Sequence, residues 1–338
     1  MVSIRDIANK AKVSVATVSR LLDPQKRGLV REETRKRIEK IIQKYHYVPN
    51  QAAKALRRQQ SDTIGMVTPF STDVVKSPYF EGLIAGIIEG IRPLSYDLKW
   101  IMIRDEELKT SNLQELLQKH AVDGIVFLTW RLLPNLVREI EHHAKIPAVL
   151  INDVSPKVRC SIVYCENKIG VEKICSHLLS RGFKKIGMLR GPEHISHDAR
   201  ERFLAFKACA KKFGFPLKES FLALAPRFDE EAGYQTLSTW IEKGKLPRAI
   251  FCANDDLAAG AIRALRDKKV KVPEEVAIVG YDDSERNAVL NPPLTSVRQP
   301  LEMMGRAAIE ILSKLISKEA KGSVQLKFEP ELVVRASA

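Results

Sequence analysis

Residues 4–22, IRDIANKAKVSVATVSRLL, read as two short helices joined by a tight turn, and this leaves the front of the chain few other ways to fold. Ile7, Ala8, Ala11, Val13, Val18 and Leu21 are its small and apolar positions. A small residue midway along the first helix lets the second cross it closely, and apolar side chains from both then close a miniature core. Ala8, Val18 and Leu21 suit those tasks. Ser14 is a good N-cap for the second helix, whose exposed side chains are then Val15, Ala16, Ser19 and Arg20. A third amphipathic helix is predicted over about residues 31–45, with Ile38, Ile41 and Ile42 on one face and Arg35, Lys36, Lys40 and Lys44 elsewhere. Three helices in about 45 residues form a minimal unit for burying such a core.

Charge is concentrated in the same place. The first sixty residues hold 15 Lys and Arg against 5 Asp and Glu, which is +10 of a formal +14 for all 338 residues. Positive charge clustered on a helix-turn-helix is what neutralising the phosphates of a duplex requires. Within the loop marked by Asp23, Pro24 and Gly28, Lys26 and Arg27 are further candidates for phosphate contact.

At this point a family pattern emerges. DIANKAKVSVATVSRLL, followed by YHYVPNQAAKAL at residues 45–56, resembles the headpiece and hinge of the LacI/GalR family of bacterial transcription regulators. The resemblance rests on Asp6, Ile7, Ala8, Ala11, Val13, Ser14, Thr17, Val18, Ser19 and Arg20, then on Tyr47, Pro49, Asn50, Ala53 and Leu56. Lys12 departs from it, standing where the family often has Gly or Asn. If that residue needs a positive φ, Lys costs roughly 1 kcal/mol.

The resemblance implies an α/β protein with a three-helix headpiece at 1–48, a hinge helix at 49–60 and an effector-binding and dimerisation core at 61–338. It divides that core into two doubly wound parallel subdomains of periplasmic-binding-protein type. One takes about 61–161 and 294–323, the other about 162–292 and 326–338. The chain then crosses between them near Ser161, near residues 293–295 and near residues 323–328.

The alternating pattern supports the fold independently. Short apolar runs at 63–67, 98–103, 124–128, 148–151, 185–189, 249–252 and 276–281 read as buried strands. Helical patterns lie between them at 80–91, 113–118, 133–143, 168–179, 199–213, 230–243 and 255–268, and such alternation argues a parallel sheet. Gly82, Gly86 and Gly90 recur every four residues on one of these helices, a spacing that permits close packing.

On DNA, the resemblance makes Val15, Ala16 and Arg20 the base readers. Arg20 can grip guanine O6 and N7, while Val15 and Ala16 contact methyls or exclude bulk. Ser14, Thr17, Ser19 and Asn50 suit phosphates, which position without specifying. The small Ala53 lets the hinge helices approach, and Leu56 is a wedge for the minor groove.

Ligands of doubly wound sheets bind beyond the carboxyl ends of the strands. Asn152 and Asp153, Asn254 and Asp255, and Asp282 follow strands there, although each also suits a cap or turn. By resemblance, Arg202, Asn254 and Asp282 match effector-binding positions, Gln299 joins them, Phe228 stacks on the ligand, and Tyr79 and Phe80 enter the cleft. Stacking combined with charged hydrogen-bonding groups is the chemistry of sugar recognition. Purine-binding members carry Arg and Thr six and four residues before the arginine matching Arg202. Ser196 and Asp198 stand at those positions, which makes a sugar the favoured effector and disfavours a purine.

Other classes find little support. There is no Walker loop and no GxGxxG after a strand. His194, His197 and Asp198 read as loop polar groups rather than metal ligands, as do His142 and His143 at a helix end. No catalytic constellation, cofactor or metal is expected. Cys160, Cys165, Cys175, Cys209 and Cys252 form no CxxC pair and read as reduced, packed thiols. No run of 18 apolar residues and no signal peptide is evident. The expectation is a cytoplasmic homodimeric repressor of a pseudo-palindromic operator, with no membrane partner. A dimer is preferred to a tetramer because no leucine-heptad tail follows RASA in this sequence. An exported sugar receptor or a non-specific architectural DNA protein are the rivals.

Overall fold

The computed structural model describes residues 2–23, 26–47, 60–104, 115, 119–128, 147–152, 160–193, 196–244, 246–320 and 322–338. The chain forms two compact units, Met1–Asp62 and Thr63–Ala338.

In the first unit, α1 (Ile4–Ala11), α2 (Val15–Leu22) and α3 (Glu32–Lys44) enclose Ile7, Ala8, Ala11, Val18, Leu21, Val30 and Ile38, all buried. Val13, Ile41, Ile42 and Tyr45 pack against the rim of that cluster. Ser3 and Asp6 make a reciprocal capping box at the start of α1, which satisfies backbone donors that a helix end leaves open. Lys12 ends α1 in the left-handed conformation, with φ of 52°. The turn therefore does need the geometry that Gly or Asn adopts more easily. Lys10 Nζ sits 4.4 Å from the Tyr45 ring centroid, tying α1 to the end of α3. Arg27, in a 3-10 turn over Arg27–Leu29, donates to Glu39 on α3, so its charge is partly engaged within the unit.

The second unit contains two six-stranded sheets. The first holds β1 (Thr63–Pro69), β2 (Asp97–Ile103), β3 (Gly124–Phe127), β4 (Ala148–Ile151), β5 (Ser161–Cys165) and β11 (Gln325–Phe328), in the order β11-β5-β4-β3-β1-β2. The second holds β6 (Ile186–Arg190), β7 (Leu222–Leu224), β8 (Ala249–Cys252), β9 (Ala277–Asp282), β10 (Thr295–Arg298) and β12 (Glu331–Val333), in the order β12-β10-β9-β8-β6-β7. Among the described residues all pairings are parallel except β10 with β12. Ile64 lies opposite Gly124 and Leu98, and Ile250 lies opposite Gly187 and Ile278. β3, β4 and β8 are buried along their whole length, as strands covered on both faces must be.

The longer helices of the second unit, in chain order, are α4 (Pro78–Ile91), α5 (Asn167–Ser180), α6 (His197–Phe213), α7 (Glu230–Glu242), α8 (Asp255–Asp267) and α9 (Leu301–Ile316). The glycine row on α4 meets α9. A Cβ on Gly86 would collide with the Glu302 carbonyl, and one on Gly305 with the Leu83 carbonyl. The two helix backbones therefore touch where side chains would hold them apart.

The expected strands and most of the expected helices are present, with corrections. β5, β7, β10, β11, β12 and α9 were not anticipated from the sequence pattern. Their strands put the three crossings after β5, after β10 and between β11 and β12. Each crossing lies a few residues later than expected, because the crossing segments first pair as strands with the sheet they are leaving. The helix at 133–143 lies outside the described residues, as do all of the hinge at 49–60 except Gln60, nearly all of the helix at 113–118 and residues Asn50, Ala53, Leu56, Asp153 and His194.

Candidate functional site

The exposed face of α2 is a short, nearly neutral ledge carrying one cation. Val15 is 37% exposed despite being apolar, Ala16 and Arg20 are exposed, and Thr17 and Ser19 are half-buried. Ser14 caps the helix by accepting from the Thr17 backbone N–H at 3.1 Å, and its Oγ lies 2.9 Å from Thr17 Oγ1. Both hydroxyls are thus oriented by the helix start. An uncommitted apolar side chain beside an Arg on a solvent-facing helix suits contact with base edges and thymine methyls.

In the second unit a small cavity of about 50 Å³ lies among residues from both halves. Tyr79 and Phe80 come from α4, beside the first sheet. Asp198 and Arg202 come from α6, Phe228 precedes α7, Asn254 follows β8 and Asp282 ends β9, all beside the second sheet. Six of the anticipated residues therefore meet: Tyr79, Phe80, Arg202, Phe228, Asn254 and Asp282.

Asn152 and Gln299 stand behind them as supports. Asn152 Nδ2 donates to Tyr79 Oη at 2.9 Å and faces Gln299 Oε1 at 3.5 Å. Its Oδ1 accepts from the Cys165 backbone N–H at 3.0 Å, so the side chain is held from both ends. Gln299 Nε2 donates to Asp282 Oδ1 at 2.8 Å. Asn254 serves as N-cap of α8, accepting from Leu257 N–H at 2.9 Å, while also lining the cavity.

Arg202 is only 3% exposed. Its Nε donates to Asn167 Oδ1 at 2.9 Å, its Nη1 to the Ala253 carbonyl at 2.6 Å, and its Nη2 lies 3.5 Å from Asp282 Oδ1. The guanidinium also stacks 3.8 Å from the Tyr281 ring centroid. A buried charge needs such partners to offset its lost hydration. Burial pushes the Asp282 carboxyl up to about 6, against the opposing pull of the Arg202 charge and the Gln299 hydrogen bond. Burial likewise raises Asp255, at the start of α8, to about 7, and the neighbouring Asp282 charge adds to the rise. Ser284 N–H, Asn287 Nδ2 and Ser296 Oγ all donate to Asp255.

Asn152 and Asp282 hold φ of 59° and 110°. These are conformations that residues with a Cβ seldom adopt, and they mark strand ends bent to aim a side chain. Asp283 anchors the second of these bends, accepting from Arg298 at 2.8 Å and Arg335 at 2.6 Å.

Sequence reasoning marked Ser196 and Asp198 only as positions that disfavour a purine, and it did not anticipate Ser77 and Asn167 as parts of this site. Ser196 caps α6 by accepting from Ala199 N–H at 3.2 Å, and Asn167 Nδ2 donates to Asp198 Oδ1 at 2.7 Å. The spacing of Ser196, Asp198 and Arg202 along one helix start was the available signal. His197 Nε2 stands 3.9 Å from Glu201, and no group of three His, Cys, Asp or Glu among the described residues is placed to hold a metal. All five cysteines are buried, and Cys165, Cys175, Cys209 and Cys252 are free thiols. No helix among the described residues is long and apolar enough to cross a membrane.

Residues 3–50 match the family model for bacterial regulatory proteins of the lacI family, and residues 175–338 match a periplasmic binding protein-like domain. Over its whole length the chain is 31% identical to the HTH-type transcriptional repressor PurR of Haemophilus influenzae (strain ATCC 51907 / DSM 11121 / KW20 / Rd), covering 98% of that protein. It is 28% identical to PurR of Pasteurella multocida (strain Pm70), again over 100% of this chain and 98% of the relative. Among solved structures, a transcriptional regulator CelR–cellobiose complex matches with TM-score 0.73 and 26% identity over 100% of both chains. The lac repressor bound to ONPG in its repressed state matches in fold with TM-score 0.86 and 23% identity, over 100% of this chain and 99% of the other.

Proposed function

Because this chain belongs to the lacI family of bacterial regulatory proteins, DNA-binding regulators rather than enzymes, we propose that it is a cytoplasmic homodimeric repressor whose grip on a two-fold operator is set by a sugar or sugar derivative held in the core. The observation that carries this reading is one cavity at the carboxyl ends of two sheets, walled by the aromatic rings of Tyr79, Phe80 and Phe228 and by the polar groups of Arg202, Asn254 and Asp282.

At about 50 Å³ the cavity is far too small for a sugar, since ligand pockets run to about 300 Å³ or more. In this reading the two halves part to admit the ligand. An effector that favours one spacing of the halves over another shifts the equilibrium between them, and the same shift is felt by the dimer that presents the headpieces. In this reading the 1–48 segment reads DNA through Val15, Ala16 and Arg20, with Ser14, Thr17, Ser19 and Asn50 on phosphates. The 49–60 segment, with Ala53 and Leu56, is the hinge whose order depends on DNA and on the dimer.

Association of two copies is supported by the edge strand β2, where Trp100 and Met102 share one face and are 41% and 37% exposed. A long edge strand with exposed apolar side chains invites a partner. A carbohydrate is supported by the aromatic and polar mixture and by Ser196 and Asp198 in the cavity wall, where purine-binding members carry Arg and Thr. The cellobiose-bound neighbour points the same way. A purine is the second reading, favoured by the name PurR on the similar repressors.

Two measurements test the proposal. Footprinting on random duplexes should yield a protected two-fold site of about 14 to 20 base pairs if half-sites lie about one turn apart. A thermal-shift screen of mono- and disaccharides against nucleobases should show its largest rise with a sugar, since a ligand at a hundredfold excess over Kd adds roughly 2.7 kcal/mol. Uniform protection of every duplex, or a response to nucleobases alone, overturns it.

A further inference from the structure

The cavity between the strand ends is unbalanced in charge. Among its described lining residues Arg202 is the single cation, set against the carboxyl groups of Asp198 and Asp282. That guanidinium is already engaged by Asn167, by the Ala253 carbonyl and by Asp282. Asp198 accepts one hydrogen bond, from Asn167, and no other described group donates to its carboxylate.

A carboxylate in the first turn of a helix has an ordinary role, since it complements the dipole. Here Ser196 already caps α6, and Asp198 reaches the cavity wall in addition. Its charge is felt around the cavity: burial first, and then Asp198 among the neighbouring charges, raises the proton affinity of Tyr79, Cys165, Tyr281 and Asp282. The adjoining cavity of about 190 Å³ shares Asp198 and adds Glu201 and Glu166, the latter 3.5 Å from Lys327, against Lys168, so it brings no surplus cation to the cleft.

We propose that this cleft selects an effector bearing a protonated amine, seated on the Asp198 carboxylate, and rejects phosphorylated ligands. The inference rests on the reading that the cleft holds the small effector. An ammonium placed between Asp198 and Asp282 restores neutrality and makes short charge-assisted hydrogen bonds where little water competes. A phosphate entering the same space brings more negative charge beside two carboxyl groups, and the one available cation has its partners already.

Calorimetric titration of the full chain decides the matter with matched probes. Glucose, galactose and mannose are compared with their 2-amino and 6-phosphate derivatives, and serinol with glycerol as a pair outside the sugars. The expected result is binding of an amino sugar at least about tenfold tighter than its neutral parent, with no heat from any phosphate. Asp198→Asn, which keeps an acceptor for Asn167, should bring the amino and neutral sugars to similar affinity, and its melting curve by circular dichroism checks that it folds. Neutral hexoses binding as well as amino sugars, a phosphate binding best, or an undiminished amine preference in a folded D198N protein each overturn the proposal while leaving a carbohydrate effector in place. Preference for serinol over glycerol with silence from every sugar removes the carbohydrate and keeps the amine. Silence from the whole set removes both.

Discussion

Gln299 donates its amide N–H to Asp282 Oδ1 at 2.8 Å, and this contact joins the cavity-lining carboxyl to the segment by which the chain leaves the second sheet. The same side chain faces Asn152 of the first sheet at 3.5 Å through its oxygen. One residue thus spans the two halves, touching a carboxyl that lines the cavity and an amide that supports Tyr79. Gln299→Ala is expected to weaken the response of operator binding to effector more than operator binding itself, read as the ratio of operator affinities with and without ligand. An unchanged ratio counts against this coupling.

The buried carboxyl groups predict a pH dependence. Asp282 and Asp255 titrate near 6 and near 7 in the folded protein because burial disfavours their charged forms. In the unfolded chain both titrate near the ordinary value of about 3.9. The folded state therefore holds these protons more tightly, and the stability they contribute is complete below about pH 4 and lost as pH rises through about 6 and 7. Asp255→Asn removes one of the titrations. The stability of the natural protein relative to this variant, measured by urea unfolding, should decline from pH 5 to pH 8, and a constant difference refutes the assignment.

On the headpiece, Arg20→Ala should cost roughly 1 to 3 kcal/mol of operator binding and relax the preference at one base pair in each half-site. Competition among operators altered at single positions measures this. Equal loss on all sequences would make Arg20 a phosphate contact instead.

Lys12 offers a stabilising change. Its φ of 52° is left-handed, and Lys12→Gly should raise headpiece stability by up to about 1 kcal/mol, less the extra freedom glycine gains when unfolded. Hydrogen exchange of the amides of α1 and α2 reports the gain. Lower protection would show that the Lys side chain supplies more than the strain removes.

Gly86→Val tests the contact between α4 and α9. The obstacle is the Glu302 backbone carbonyl rather than a movable side chain, so the loss in core stability should reach or exceed the roughly 1 to 3 kcal/mol typical of overpacking. Denaturant unfolding of the core gives the value. Wild-type stability would mean that the helices can slide apart at no cost.

How much of this was legible from sequence depended on range. The headpiece was readable because Ile7, Ala11, Val18 and Leu21 meet within a few turns, and local periodicity carries the whole design. α9 has an equally regular stripe in Leu301, Met304, Ala308 and Leu312, all buried, but the expected elements did not include it. β7 and β12 are three residues each, too short to show an alternation, and exist because a neighbouring strand supplies their partners. The aromatic and charged members of the cleft were legible through family resemblance at fixed spacing. Asp198 was read only as standing where purine-binding members carry Thr and, beside two histidines, as a polar group of a loop. Its actual partner, Asn167, lies 31 residues away, on the far side of β6, where no local pattern joins them.

The crossing strands also bear on how this protein comes into being. The first sheet needs residues 325–328 to complete the edge beyond β5, and the second needs residues 331–333 beside β10. Neither half is finished until residues 325–333 have been made. Until then the edges at β5 and β10 lack these partners, and pairing across so long a stretch of chain is intrinsically slow and exposed to aggregation, as it is not in a row of contiguous domains.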